Sequence, residues 1–154
     1  MPTKIVDGVT VNYHDVGSGQ PIVLIHCSSS SHRQWRALWE LLQDTHRVIA
    51  IDMLDWGGTD TWLNQEGSLI ADEVALIHAI TSDFDGPFHL VGHSYGGSVA
   101  LFTAKAQPEL YDSLTLIEPA NFHLLRGGSE SDQLLFRLIY HIAMRITDSV
   151  ASNT

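Results

Sequence analysis

The chain has 154 residues, 44% of them hydrophobic and only 17% charged, a balance that excludes a disordered segment, a coiled coil and a charge-rich tail. Eighteen acidic residues stand against eight basic ones, a formal charge of −10 that repels phosphate backbones, so nucleic acid is not an expected partner. The single cysteine, Cys27, rules out an internal disulfide and offers no metal cluster.

That length suits one domain with a sizeable core. No stretch approaches the roughly 20 apolar residues of a membrane span. Met1-Pro2-Thr3-Lys4 lacks the apolar core of a signal peptide, so a cytoplasmic protein without membrane contact is expected.

In chain order, Lys4–Val6 and Val9–His14 read as two short strands around a turn at Asp7-Gly8, a hairpin signal. Gly17 to Pro21 is loop. Ile22–Ile25 is a β-branched apolar run, which suits a strand buried on both faces. Trp35, Leu38, Trp39 and Leu42 then recur at helical spacing. Val48–Ile51 reads as the next buried strand, followed by a glycine-rich loop at Asp55-Trp56-Gly57-Gly58. Ser68 is placed to cap a helix that turns Ile70, Val74, Ile77 and Ile80 inward. Phe88–Val91 reads as a third buried strand, broken at Gly92. Ser98 to Ala106 continues as a helix of small and apolar residues, ended near Pro108. Leu114–Ile117 is the fourth run expected to be buried on both faces, stopped by Pro119.

Strands that alternate with helices and are apolar on both faces predict an α/β fold: a mostly parallel sheet with helices on both faces. The last segment differs. From Ser131 to Thr147 an apolar stripe of Leu134, Leu135, Leu138, Ile139, Ile142 and Ile146 opposes Gln133, Arg137, His141 and Arg145. It predicts a strongly amphipathic helix with no strand after it.

Gly92-His93-Ser94-Tyr95-Gly96 fits G-x-S-x-G. Two glycines and a serine are weak evidence alone, but this serine follows a buried strand and opens a small-residue helix, as a nucleophile elbow requires. The tight turn strains the serine backbone, and a side chain at Gly92 or Gly96 would strike the neighbouring helix and strand.

From Lys4 to about Phe122 the chain resembles the α/β-hydrolase superfamily of serine hydrolases. The resemblance rests on Leu90 to Gly97 as the elbow and on His26-Cys27-Ser28 at the oxyanion loop. Trp35 nine residues later, the Asp52–Thr59 loop and Leu116-Ile117-Glu118-Pro119 fall in family order. It implies that Ser94 is the acyl-accepting nucleophile and that the N–H groups of Ser28 and Tyr95 form the oxyanion hole. It gives His26 a structural role in its loop and implies no cofactor. Two departures stand out: Cys27 replaces a usual glycine in the oxyanion loop, and Asp55 replaces a glycine in the Asp52 loop. Cys27 is expected as a small buried residue.

A serine hydroxyl needs a base, and the family order is serine, acid, histidine. No strand that would carry the usual aspartate or histidine is expected between Pro119 and Thr154. Glu118 occupies an alternative acid position known in haloalkane dehalogenases, whose nucleophile is an aspartate; a structural carboxylate is the competing reading. Of nine histidines, only His123 and His141 follow Ser94, and both read as solvated surface residues. His93 projects away from the elbow, while His78 and His89 have no partner legible in the sequence.

The expected organisation is therefore an N-terminal α/β-hydrolase core at 1–122, then the start of a cap at 123–154. The final helix would fold over the sheet edge or pair with a second copy as a homodimer. The leading functional expectation is cleavage of a small hydrophobic ester or related acyl bond through an acyl-serine. Trp35, Trp56, Tyr95, Phe122 and Leu124 are the expected apolar pocket residues. The alternative is a non-catalytic binding or scaffold protein that keeps part of the fold.

Overall fold

A computed structural model describes residues 2–61 and 68–120. The expectations for the final helix, for a homodimer through it, and for Phe122, Leu124, His123 and His141 lie outside those residues.

The hairpin forms at Asp7-Gly8, joining β1 (Thr3–Val6) and β2 (Val9–Val16) in antiparallel register. Next come β3 (Gln20–Ile25), a 3-10 turn (His32–Trp35) running into α1 (Arg36–Leu42), and β4 (His46–Ile51). Then follow α2 (Leu69–Thr81), β5 (Phe88–His93), α3 (Tyr95–Ala106) and β6 (Tyr111–Ile117). The six strands form one sheet in the order β1-β2-β4-β3-β5-β6. Strand β2 runs antiparallel to β4, whereas β4, β3, β5 and β6 are mutually parallel.

Alternation along the central strands explains why helices cover both faces. Val23, Ile25, Ile49 and Ile51 point to one side, where they join Leu76, Ile77 and Ile80 of α2 and Val99 and Ala100 of α3. Ile22, Leu24, Val48 and Ala50 point to the other, against Trp35 and Trp39. Each such buried aliphatic side chain is worth about 1.5–3 kcal/mol, so the centre of the sheet is the stable platform. No described helix is long and apolar enough to cross a membrane.

Three local expectations are corrected. Strand β5 does not break at Gly92 but continues through His93, because Gly92 and His93 still pair with Leu116 and Ile117. Helix α2 buries Glu73, Leu76, Ile77 and Ile80, while Ile70 and Val74 are only half-buried. Its inner face is thus a row that includes the carboxyl group of Glu73. Strand β6 alternates between half-buried and exposed residues, with Ile117 40% exposed, because it is the outermost strand of the described sheet.

A buried polar hub ties β2 to the loops at the end of β4. Asp52, just past β4, is fully buried. Its Oδ1 accepts from the His32 backbone N–H (2.6 Å) and His32 Nδ1 (2.8 Å). Its Oδ2 accepts from Asn12 Nδ2 (2.6 Å) and the Gly58 N–H (2.9 Å). Burial alone would raise this carboxyl, but the four donors outweigh it and hold Asp52 below the usual carboxylate range. One side chain therefore fastens β2, the 3-10 turn and the 52–60 loop together.

Replacing Asp52 with alanine would leave those buried donors unpaired. We expect Asp52→Ala to lose on the order of 3 kcal/mol of unfolding free energy, read as a lowered urea midpoint. The wild type should lose this contribution in acid: the lowered carboxyl stabilises the fold above its unfolded pKa and ceases to as pH falls through the folded one.

Candidate active site

Strands β3 and β5 run parallel as neighbours, with Ile25 opposite Gly92, so their C-terminal ends reach the same level of the sheet. The loop after β3 and the turn after β5 therefore emerge side by side. In open α/β sheets this is where ligands bind.

Ser94 sits between β5 and α3 with φ 54° and ψ −116°, a backbone conformation that costs a side-chain-bearing residue about 1–3 kcal/mol. Its neighbours hold it there. The Ser94 N–H donates to the Ile117 carbonyl (2.9 Å), and the Ser94 carbonyl accepts from the N–H groups of Gly97, Ser98 and Ala120. A serine at a helix N-cap ordinarily bonds back to the helix; the Ser94 hydroxyl makes no such bond. The hydroxyl is left at the mouth of the helix N-terminus, where the macrodipole favours developing negative charge.

The turn is tight because two glycines let backbones meet. A Cβ on Gly92 would lie 2.8 Å from the Ala100 Cβ. A Cβ on Gly96 would lie 2.6 Å from the Ile25 carbonyl oxygen and closer still to that of His26. The first turn of α3 is therefore pressed against the end of β3. Tyr95 is the first residue of α3, so its N–H has no acceptor within the helix.

The loop after β3 begins at His26, which is fully buried. The Met53 N–H donates to His26 Nε2 (3.1 Å), which places the ring proton on Nδ1, 2.6 Å from the Cys27 carbonyl. Burial holds this imidazole below the ordinary histidine range, in keeping with an Nε2 that acts as acceptor. Both nitrogens are occupied, so His26 acts as a brace between two loops. Cys27 is half-buried rather than buried, and its N–H donates to Gln34 Oε1 (3.0 Å). Ser28 follows it, and Ser29 turns the loop with φ 58°.

Glu118 follows β6 with φ 43°, and its side chain is 89% exposed. Its Oε2 lies 3.9 Å from His93 Nε2, while His93 Nδ1 faces Gln34. The structure thus brings Ser94, Tyr95, His26, Gly92, Gly96, Ser28 and Glu118 to one end of the sheet. Trp35 is not among them: it is buried with Ile22, Leu24 and Trp39 beneath α1, because the 3-10 turn directs it into the core. Trp56 and Tyr95 are half-buried against the opposite core cluster. His78 and His89 have partners the sequence did not reveal, the Tyr111 hydroxyl (3.2 Å) and the Ser113 hydroxyl (2.8 Å).

Sequence reasoning missed Glu73. Its carboxyl is fully buried and receives the Leu54 N–H, 3.2 and 3.4 Å from its two oxygens. Burial raises it to about 8, the one hydrogen bond lowers it, and the negative charges of Asp55 and Asp72 add to the rise. Burial, and then the field of Glu73, also push the Tyr95 phenol up. The Tyr95 hydroxyl is itself buried without a hydrogen bond among the described residues. Among those residues no group of three His, Cys, Asp or Glu is placed to hold a metal ion.

With this geometry in hand, comparison with known proteins gives the family. A model described as the alpha/beta hydrolase family matches residues 22–150. The chain belongs to that family. It is 33% identical over 121 residues to the 2-hydroxy-6-oxo-6-(2'-aminophenyl)hexa-2,4-dienoic acid hydrolase of Metapseudomonas resinovorans, covering 73% of this chain and 40% of that protein. Among solved structures, a meta-cleavage product hydrolase from Pseudomonas fluorescens IP01 matches with 36% identity and a TM-score of 0.67, over 74% of this chain and 43% of that one. A serine hydrolase involved in carbazole degradation matches with 31% identity and a TM-score of 0.69, over 77% and 47%. The chain thus spans less than half the length of each of these relatives.

The Glu73 environment makes a prediction with a definite sign. Its folded pKa lies above the unfolded value, so between about 4.5 and 8 the folded state holds a proton that the unfolded state has lost. Stability should fall as pH rises through that window and level off above it. We expect Glu73→Gln to remove the slope and to exceed the wild type at pH 9 by on the order of 2 kcal/mol, read from urea midpoints between pH 5 and 9.

Proposed function

We propose that this chain carries the nucleophile and oxyanion portion of a serine hydrolase that cleaves an acyl bond. The observation that supports the reading most strongly is the Ser94 backbone: a strained serine between a buried strand and a helix N-terminus, with its hydroxyl unused by the helix. Strain of that kind persists only where the surroundings enforce it.

In this reading Ser94 Oγ attacks a substrate carbonyl carbon and gives up its proton to a base. The carbonyl oxygen becomes an oxyanion held by the N–H groups of Tyr95 and Ser28. Collapse breaks the bond to the leaving group, which departs with a proton, and water then hydrolyses the acyl-serine. His26 keeps the Ser28 loop in place through Met53, and Glu118 is the candidate acid at the rim of the elbow. Fixed donors of this type contribute about 3–4 kcal/mol each to such a transition state.

Small hydrophobic esters are the substrate class first proposed. The relatives widen the class of acyl bond: one is named as acting on a 2-hydroxy-6-oxo-dienoic acid, which bears a ketone and no ester. An activated serine attacks either kind of carbonyl. The competing reading is a binding or scaffold protein in which Ser94 is idle.

Fluorophosphonate labelling of the purified chain separates the two, because the probe requires only an activated serine. We expect one labelled site, mapped to Ser94 by peptide mass spectrometry and abolished in Ser94→Ala. A folded protein that stays unlabelled would mean that Ser94 is idle in this chain, and would favour the reading of a hydrolase fragment or of a binding or scaffold protein.

A further inference from the structure

One side chain bridges the two halves of the candidate oxyanion site. Gln34 Oε1 accepts the Cys27 N–H at 3.0 Å, and Gln34 Nε2 lies 3.1 Å from His93 Nδ1. The orientation of the carboxamide follows from chemistry. A backbone N–H only donates, so the atom facing Cys27 is the oxygen, and the NH2 group is turned to His93. His93 Nδ1 is then an acceptor, and the ring proton sits on Nε2, toward Glu118.

The ends of the bridge lie next to the proposed donor Ser28 and next to the nucleophile, with the second donor, Tyr95, one residue further on. Cys27 precedes Ser28, and His93 precedes Ser94 and Tyr95. The base of the bridge is rigid. Gln34 lies in the 3-10 turn that Asp52 grips through His32, with Ser31 as its cap and the buried Trp35 beside it. The loop from Cys27 to Ser31, by contrast, has no large apolar side chain with which to anchor itself.

We propose that Gln34 is a positioning residue that sets the separation of the Ser28 and Tyr95 amides by tying the Cys27 N–H to His93. The proposal rests on the serine-hydrolase reading above. Oxyanion donors act only within a narrow range, about 2.7–3.1 Å from the developing charge, so a loop released by a fraction of an ångström loses most of its effect.

Two variants of the full chain test it. Gln34→Met keeps the length and removes both bonds. We expect amide hydrogen exchange at Cys27 to accelerate at least tenfold and the fluorophosphonate rate at Ser94 to fall about tenfold, with labelling still complete at long times. Gln34→Glu keeps the acceptor for Cys27 but presents no N–H to His93. There we expect Cys27 to stay protected while His93 Nδ1, read by nitrogen-15 NMR, changes from a bare acceptor to a protonated donor, since the carboxylate accepts from Nδ1. This readout does not depend on activity and would not move if Gln34 merely filled space. A Gln34→Met chain that labels at the wild-type rate would overturn the proposal alone, as would an Nδ1 that stays unprotonated in Gln34→Glu. A wild type that never labels would instead sink the nucleophile reading, and this proposal with it.

Discussion

The first turn of α3 enters so close to the end of β3 that Gly96 has no room for a Cβ beside the Ile25 and His26 carbonyls. This contact decides where everything else at the site can be. It requires β3 and β5 to be parallel neighbours that end at one level, which the order β4-β3-β5-β6 supplies. It also forces the chain to turn within a single residue, and that residue is Ser94 at positive φ. The reactive geometry proposed for Ser94 is a consequence of sheet and helix packing rather than of any interaction made by its own side chain.

Around that contact the loops are braced by buried polar groups rather than by apolar packing. Asp52 holds the 3-10 turn and the loop that follows β4, and His26 links the loop after β3 to Met53. Glu73 reaches the next residue, Leu54, from beneath. Such groups are costly unless every donor and acceptor is used, which makes their geometry specific. Asp52 is fully supplied with donors and stays ionised. Glu73 has a single N–H to share and acidic neighbours, which is why its carboxyl is raised while that of Asp52 is lowered. Opposite environments within one set of loops push the two groups in opposite directions.

The sheet was legible because its central strands are runs of β-branched residues too short for helices, and the elbow because glycines, a strand and a small-residue helix occur together around Ser94. The inner face of α2 was not. The rows Ile70-Val74-Ile77 and Glu73-Ile77-Ile80 share residues and differ by a small rotation, and hydrophobicity favours the wrong one. Only the third dimension shows the Leu54 N–H waiting for the Glu73 carboxyl oxygens. Trp35 was misplaced for a related reason: its distance from His26 is typical of a site loop, but the 3-10 turn rotates it into the core. The Gln34–His93 contact spans 59 residues with no periodic signal, so nothing in the sequence could have drawn it. Strand β6 looks central by composition, and its half-exposed pattern follows from its outermost place in the described sheet.

The central claim is that Ser94 and the amides of Ser28 and Tyr95 surround a single point in space where a carbonyl oxygen acquires charge. A crystal structure of the chain treated with an aryl trifluoromethyl ketone tests it most directly, because that reagent adds reversibly to an activated serine and leaves a tetrahedral oxyanion. The account predicts continuous density from Ser94 Oγ to the ligand carbon, with the oxyanion within hydrogen-bonding distance of both N–H groups. An adduct whose oxygen points away from the Ser28 and Tyr95 amides, or an unmodified Ser94 in an otherwise ordered elbow, would contradict it.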